Sequence, residues 1–153
     1  EKRRIQNTIY ILNSAGFKTG HGFSWGFQHV FSQDLVHDSN EVFSNPQEYE
    51  KTKEFSFDNK TKYKLSEIKE LFLNPVKNQK QLELLTFSHY IFNNYYRQNS
   101  RLFYQFKNNF KNHNPKMQIQ DSKISEEQLK QSWVQAANLI AYRTYYDCLS
   151  FQA

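Results

Sequence analysis

The sequence predicts an α-rich α+β fold with a few short strands. Three observations carry this expectation. Several segments place apolar residues at helical spacing. Ser125 stands before two glutamates with Gln128 three residues on, the pattern of a helix start. Strand-forming composition is found over 142–151, and Phe55-Ser56-Phe57 reads as half a hairpin.

Residues 4–15 carry Ile5, Ile9 and Leu12 on one helical face, and Gly16 sits where a left-handed cap belongs. A short strand from Thr8 to Leu12 is the alternative. Residues 16–31 hold all four glycines, interleaved with Phe17, Phe23, Trp25, Phe27 and Phe31. This reads as a bend whose aromatics fill a core. Residues 32–62 are polar and lean acidic, with a turn at Asn45-Pro46. Phe55-Ser56-Phe57 followed by Asp58-Asn59-Lys60 reads as half a hairpin and its turn.

A helix is expected over 65–73, with Leu65, Ile68, Leu71 and Phe72 on one side and Pro75 closing it. The segment 81–96 is apolar nearly all round, which marks a central helix. Ser100 is placed to cap a helix over 101–111 whose Phe103, Phe106 and Phe110 share a face. The helix that starts after Ser125 carries the apolar stripe Leu129, Trp133, Ala136/Ala137 and Ile140, and Trp133 is expected to lie buried against 81–96. Residues 142–151 read as a strand, with a helix running on through Tyr145 and Leu149 as the alternative.

The chain has 153 residues, long enough to bury a core without a metal or disulfides. Four Gly, three Pro and one Cys exclude collagen-like, proline-rich and disulfide-rich classes. Cys148 cannot pair within the chain, and a small buried hydrophobe is its expected role. Glu1 in place of an initiator Met suggests a processed or excised chain. An AT-rich coding genome would supply many of the 14 Phe and 10 Tyr by drift alone, which weakens any argument from aromatic richness.

Charge is more informative. The net +5 lies wholly in residues 77–153, and no acidic residue occurs between Glu83 and Asp121. That stretch holds Arg97, Arg101, Lys107, Lys111 and Lys116, with Tyr95, Tyr96 and Tyr104 beside them and His89 and His113 in the same run. Basic groups neutralise phosphates and exposed aromatics stack on unpaired bases. Arg97, Arg101, Tyr104, Lys107, Lys111 and Lys116 are therefore the candidate contacts to nucleic acid or to an acidic partner. A solvated basic helix face is the competing reading.

Other constellations are weaker. Lys18-Thr19-Gly20 reverses the order of a phosphate-binding loop, and Gly20-His21-Gly22 lacks a third glycine at the dinucleotide spacing. His21, His29 and His37 recur every eight residues with Asp38 adjacent. Eight residues advance a helix about 80° beyond whole turns, so these three need loops to converge on a metal. No catalytic, cofactor or metal site is expected.

The order of elements in the second half, two helices, a polar loop, a capped helix and a closing tyrosine-rich segment, matches a winged helix. Ser125-Glu126-Glu127-Gln128-Leu129 leading to Thr144-Tyr145-Tyr146 and Phe151 resembles the last winged helix of the middle-subunit family of the telomere-capping CST complex, relatives of a replication protein A subunit. The resemblance implies a winged-helix-like fold, as a tandem of units at 1–80 and 81–153. It implies a non-catalytic interaction module in telomere maintenance, nuclear, docking protein subunits of a telomerase- or polymerase-associated complex, with direct DNA contact as an open addition. The rival expectation is a structural accessory subunit of a large assembly such as a mitochondrial respiratory complex. No cofactor and no membrane span are expected.

Overall fold

The computed structural model describes residues 2–26, 29–52, 56–96 and 125–152. The fold is α-rich. Helix α1 spans Lys2–Ser14. Strands β1 (Ser24–Gly26) and β2 (His29–Phe31) pair antiparallel, with Trp25 opposite Val30. Helices α2 (Gln33–Ser44) and α3 (Pro46–Thr52) follow. Helix α4 (Asn59–Ile68) widens into a π turn over Lys69–Leu73. Helix α5 (Gln79–Ile91) does the same over Phe92–Tyr96. Helix α6 runs from Glu126 to Gln152.

Helix α5 is the centre, as its composition predicts. It is buried at Leu82, at every position from Leu84 to His89, and at Ile91. Six consecutive buried positions cover more than a full turn, so this part of the helix has no solvent face. Helices α1 and α6 and strand β2 pack around it. The shared apolar core joins Tyr10, Ile11 and Leu12 of α1, Val30 of β2, Ile68 and Phe72, Leu82 and Leu85 of α5, and Ala136 and Leu139 of α6. It therefore draws on residues either side of position 80.

A buried stretch of helix must also satisfy the polar groups it carries, because an unpaired buried donor or acceptor costs far more than a bond gains. Thr86 and Ser88 each donate back to the carbonyl four residues earlier, on Leu82 and Leu84, at 2.6 Å. Thr86 also bonds the Asn7 side chain of α1, and Ser88 bonds Ser132 of α6. His89 Nδ1 meets the Tyr10 hydroxyl at 2.8 Å. Further out, Gln6 grips the backbone of Ser32 at both ends: its amide nitrogen donates to Ser32 O, and its oxygen accepts from Ser32 N.

Local chemistry sets the helix ends. Helix α1 ends as a Schellman turn: Gly16 N donates to Asn13 O and Phe17 N to Leu12 O, with Gly16 at φ +93°. Two distant cations complete that end, since Lys64 Nζ donates to Gly16 O at 2.9 Å and Arg143 to Asn13 O at 3.2 Å. Ser32, Asp58 and Asn78 cap α2, α4 and α5 by accepting from Leu35 N, Thr61 N and Gln81 N. Ser125 and Gln128 form the expected reciprocal box at α6, with bonds of 3.1 and 2.9 Å.

Several expectations are corrected. Residues 142–151 are helical, not a strand. Helical spacing sends the hydroxyls of both Tyr142 and Tyr146 to the Glu67 carboxylate and pairs Arg143 with Asp147 at 3.2 Å; these contacts override the β preference of the tyrosines. The run 58–60 starts a helix rather than turning a hairpin, since an Asp that favours turns also favours the N-cap. Residues 33–52 hold two helices, the second with Pro46 at its first position. The buried face of α1 is Gln6, Asn7, Tyr10, Ile11 and Leu12; Leu12 is interior as expected, while Ile5 and Ile9 are only half-buried, because the polar side chains of Gln6 and Asn7 find partners inside. On α6, Leu129, Ser132, Ala136 and Leu139 are buried; Trp133 is half-buried with its ring centre 4.4 Å from that of Phe92.

Leu139, fully buried, sets the scale of the core. Leu139→Ala should cost about 2–5 kcal/mol, and Ser125→Ala about 1 kcal/mol through the lost cap. Urea denaturation of both variants checks the order. Equal stabilities would place Leu139 outside the core.

Candidate functional site

The six contacts expected from sequence, Arg97, Arg101, Tyr104, Lys107, Lys111 and Lys116, lie outside the described residues. So do His113, the helix expected over 101–111 and the side chains of Trp25, Tyr95, Tyr96 and Cys148. His89, counted with that stretch, is an interior residue bonded to Tyr10 and not a surface contact. At the glycine bend, Thr19 Oγ1 donates to Asn13 Oδ1 and accepts from His21 N. Gly20 has φ +80°. Thr19 thus has a structural part, holding the bend to the end of α1.

Two neighbouring grooves form the candidate site. The first, about 450 Å³, runs between α5, α6 and the segment after the first π turn. Phe72, Pro75, Val76, Leu84, Leu85 and Val134 supply an apolar lining, rimmed by Lys77, Gln81, Glu127 and Lys130. Val134 is 49% exposed, so the apolar strip reaches the surface. The second groove, about 380 Å³, is lined by Arg4, Lys69 and Lys77 together with Thr8, Asn74, Asn78 and Gln79. None of its lining residues is acidic. Among the described residues none of those three cations is held in an ion pair; the neighbouring Arg3 is, to Glu83. The grooves share Val76 and Lys77, so an apolar slot opens directly onto a cationic one.

These residues were not singled out from sequence. Arg4, Lys69 and Lys77 lie on three separate segments, and nothing in their spacing says that folding gathers them. Pro75 was legible only as a helix stop.

A third, polar cleft of about 450 Å³ lies toward the C-terminal end of α5. The Tyr10–His89 pair, Asn13, Asn93 and Arg143 line it. Burial pushes the Tyr10 phenol well above its ordinary range, so it stays a neutral hydroxyl. Arg143 is already paired with Asp147 and with the end of α1. The cleft thus presents a fixed hydrogen-bonded lattice. Around α4 and α6, burial likewise raises the Tyr142 phenol, with the Tyr146 bond and the Glu67 charge adding to it. Burial lowers Lys64, helped by the Arg143 charge.

No protein-family model, curated protein or solved structure shows a significant match to this chain.

The buried phenol gives the fold an alkaline limit. Tyr10 in the unfolded chain ionises near pH ~10, while the folded state keeps it neutral. The unfolded form then binds fewer protons, so stability should be level below that pH and fall as pH rises through it. Tyr142 and Tyr146 act in the same sense. Tyr10→Phe should therefore remove only part of the alkaline loss. At neutral pH it should cost about 1–3 kcal/mol by leaving His89 without that partner. Denaturation series at neutral and alkaline pH read both effects.

Proposed function

We propose that this chain is a non-catalytic interaction module of a nucleic-acid-handling complex, docking protein subunits through the paired grooves. The carrying observation is the continuity of the apolar slot of Phe72, Val76, Leu84, Leu85 and Val134 with the cationic groove of Arg4, Lys69 and Lys77. Apolar anchors with a charged flank suit an amphipathic segment bearing acidic groups, which gains affinity from the slot and orientation from the charges. Kinship with the winged-helix CST middle-subunit family, with tandem units divided at residue 80, a role in telomere maintenance and a nuclear location belong to the same proposal. Its support is the capping box at Ser125, found where the resemblance places a helix start.

The excess positive charge of residues 77–153 adds direct nucleic-acid contact to this reading. Binding should be weak, largely independent of sequence, and steeply reduced between ~50 mM and ~200 mM salt as counterions are released. Replacing Arg97, Arg101, Lys107 and Lys111 by Gln should flatten the salt slope. Undetectable binding of labelled single- and double-stranded DNA at the lower salt contradicts the contact and leaves protein docking.

Docking is tested by Val134→Glu, a change at an exposed position that should cost the fold little. Proteins that co-purify with the native chain from its source are identified and compared with those of the variant. Subunits of a DNA-handling assembly held by the native chain and lost from the variant are the expected result. Respiratory-complex subunits in their place would establish the structural accessory role instead, and an unchanged set of partners would remove the groove from docking.

A further inference from the structure

The grooves leave one chemically distinctive cluster unused. Helix α2 places His37 and Glu41 one turn apart, with His37 Nε2 3.2 Å from Glu41 Oε1. Asp38 lies beside them, and the ligand atoms of the three lie within 4.8 Å of one another. Two ligand atoms on a tetrahedral Zn²⁺ sit roughly 3.4 Å apart, from bonds of about 2.1 Å. All three side chains are exposed, so small rotations close the remaining gap. No Lys or Arg occurs between Lys18 and Lys51, so no cation from this stretch of chain competes for the carboxylates.

A fourth residue is built to support this set. His21 comes from the glycine bend, the loop that convergence of these histidines required. Its Nε2–H donates to Asp38 Oδ2 at 2.8 Å. Its Nδ1 is buried with no hydrogen-bond partner among the described residues, so the ring proton belongs on Nε2, where the carboxylate accepts it. The bend is itself fixed, since Thr19 accepts from His21 N and donates to Asn13 on α1. Ligating carboxylates of metal sites are themselves held by outer hydrogen bonds, and His21 supplies such a bond to Asp38. His29, the remaining histidine of the eight-residue series, is on β2 with its ring against Phe31, and does not join the cluster.

We infer that His37, Asp38 and Glu41 form a surface site for a borderline divalent cation, Zn²⁺ by preference, with His21 as the residue that aims Asp38. An imidazole with two carboxylates suits Zn²⁺ better than Mg²⁺, which favours all-oxygen sets. Occupancy would tie the glycine bend to α2 and stabilise the folded state in proportion to bound metal.

The test is a calorimetric titration of the full chain with zinc chloride, with magnesium chloride as control. One zinc site is expected, with no comparable magnesium heat. His37→Ala and Glu41→Gln, both at exposed positions, should each abolish it, and His21→Ala should weaken it by about 10–100-fold. Absence of zinc binding, or a site unchanged by His37→Ala and Glu41→Gln, overturns the assignment. Full affinity in His21→Ala overturns the positioning role.

Discussion

A stretch of helix with no solvent face is the constraint on which the rest of the structure depends. Between Leu84 and His89 every side chain of α5 is interior, and three of the six are polar. Each of those three needs a partner, and each partner fixes a neighbour. Asn7 and Tyr10 hold α1 in one register along α5, and Ser132 holds α6. A one-residue slip of either helix would strand several buried donors and acceptors together. The cost of such a slip, about 1–3 kcal/mol for each group left unpaired, is large against the stability of a domain this size. Apolar burial at Ile11, Ile91 and Leu139 drives the collapse, while the polar seam selects one arrangement of it.

The same arrangement positions the surface. Because α1 and α6 flank α5, the ends of α1 meet different neighbours. Its first turn carries Arg4 into the groove with Lys69 and Lys77. Its last turn is closed by Lys64 and Arg143 from α4 and α6. Those two cations are used up on carbonyl oxygens, whereas the three in the groove face solvent. Cationic character on this fold is therefore divided between a structural end and an outward-facing one, although sequence position alone distinguishes neither.

What could be read from the sequence follows from how local each signal is. The Ser125–Gln128 box, the glycine after α1 and the all-round apolar run of α5 depend on residues within one or two turns, and each is found where expected. The tyrosines at 142 and 146 misled because their partner, Glu67, is far away in sequence. The face of α1 was read only in part for a similar reason: Leu12 is interior as expected, but Gln6 and Asn7 look like surface residues until Ser32 and Thr86 are known to lie opposite them. The candidate site was not legible in the charge distribution: the positive excess lies in residues 77–153, whereas Arg4 and Lys69 come from the net-neutral half and meet Lys77 only through the fold. Likewise the eight-residue spacing of His21, His29 and His37 showed that loops were needed for convergence; the glycine bend brings His21 to Asp38, while His29 stays on β2.

Native-state hydrogen exchange measures the central constraint directly, because the amides of an enclosed stretch of helix are released only when the whole domain opens. The amides from Leu85 to Ile91 should exchange with the free energy of global unfolding, and those of α3, whose side chains are all exposed, far faster. Facing amides of α1 and α6 around Tyr10 and Ala136 should share the slow class. Exchange in α5 as fast as in α3, by local opening with α1 and α6 still protected, would show that α5 is not the element that organises the fold.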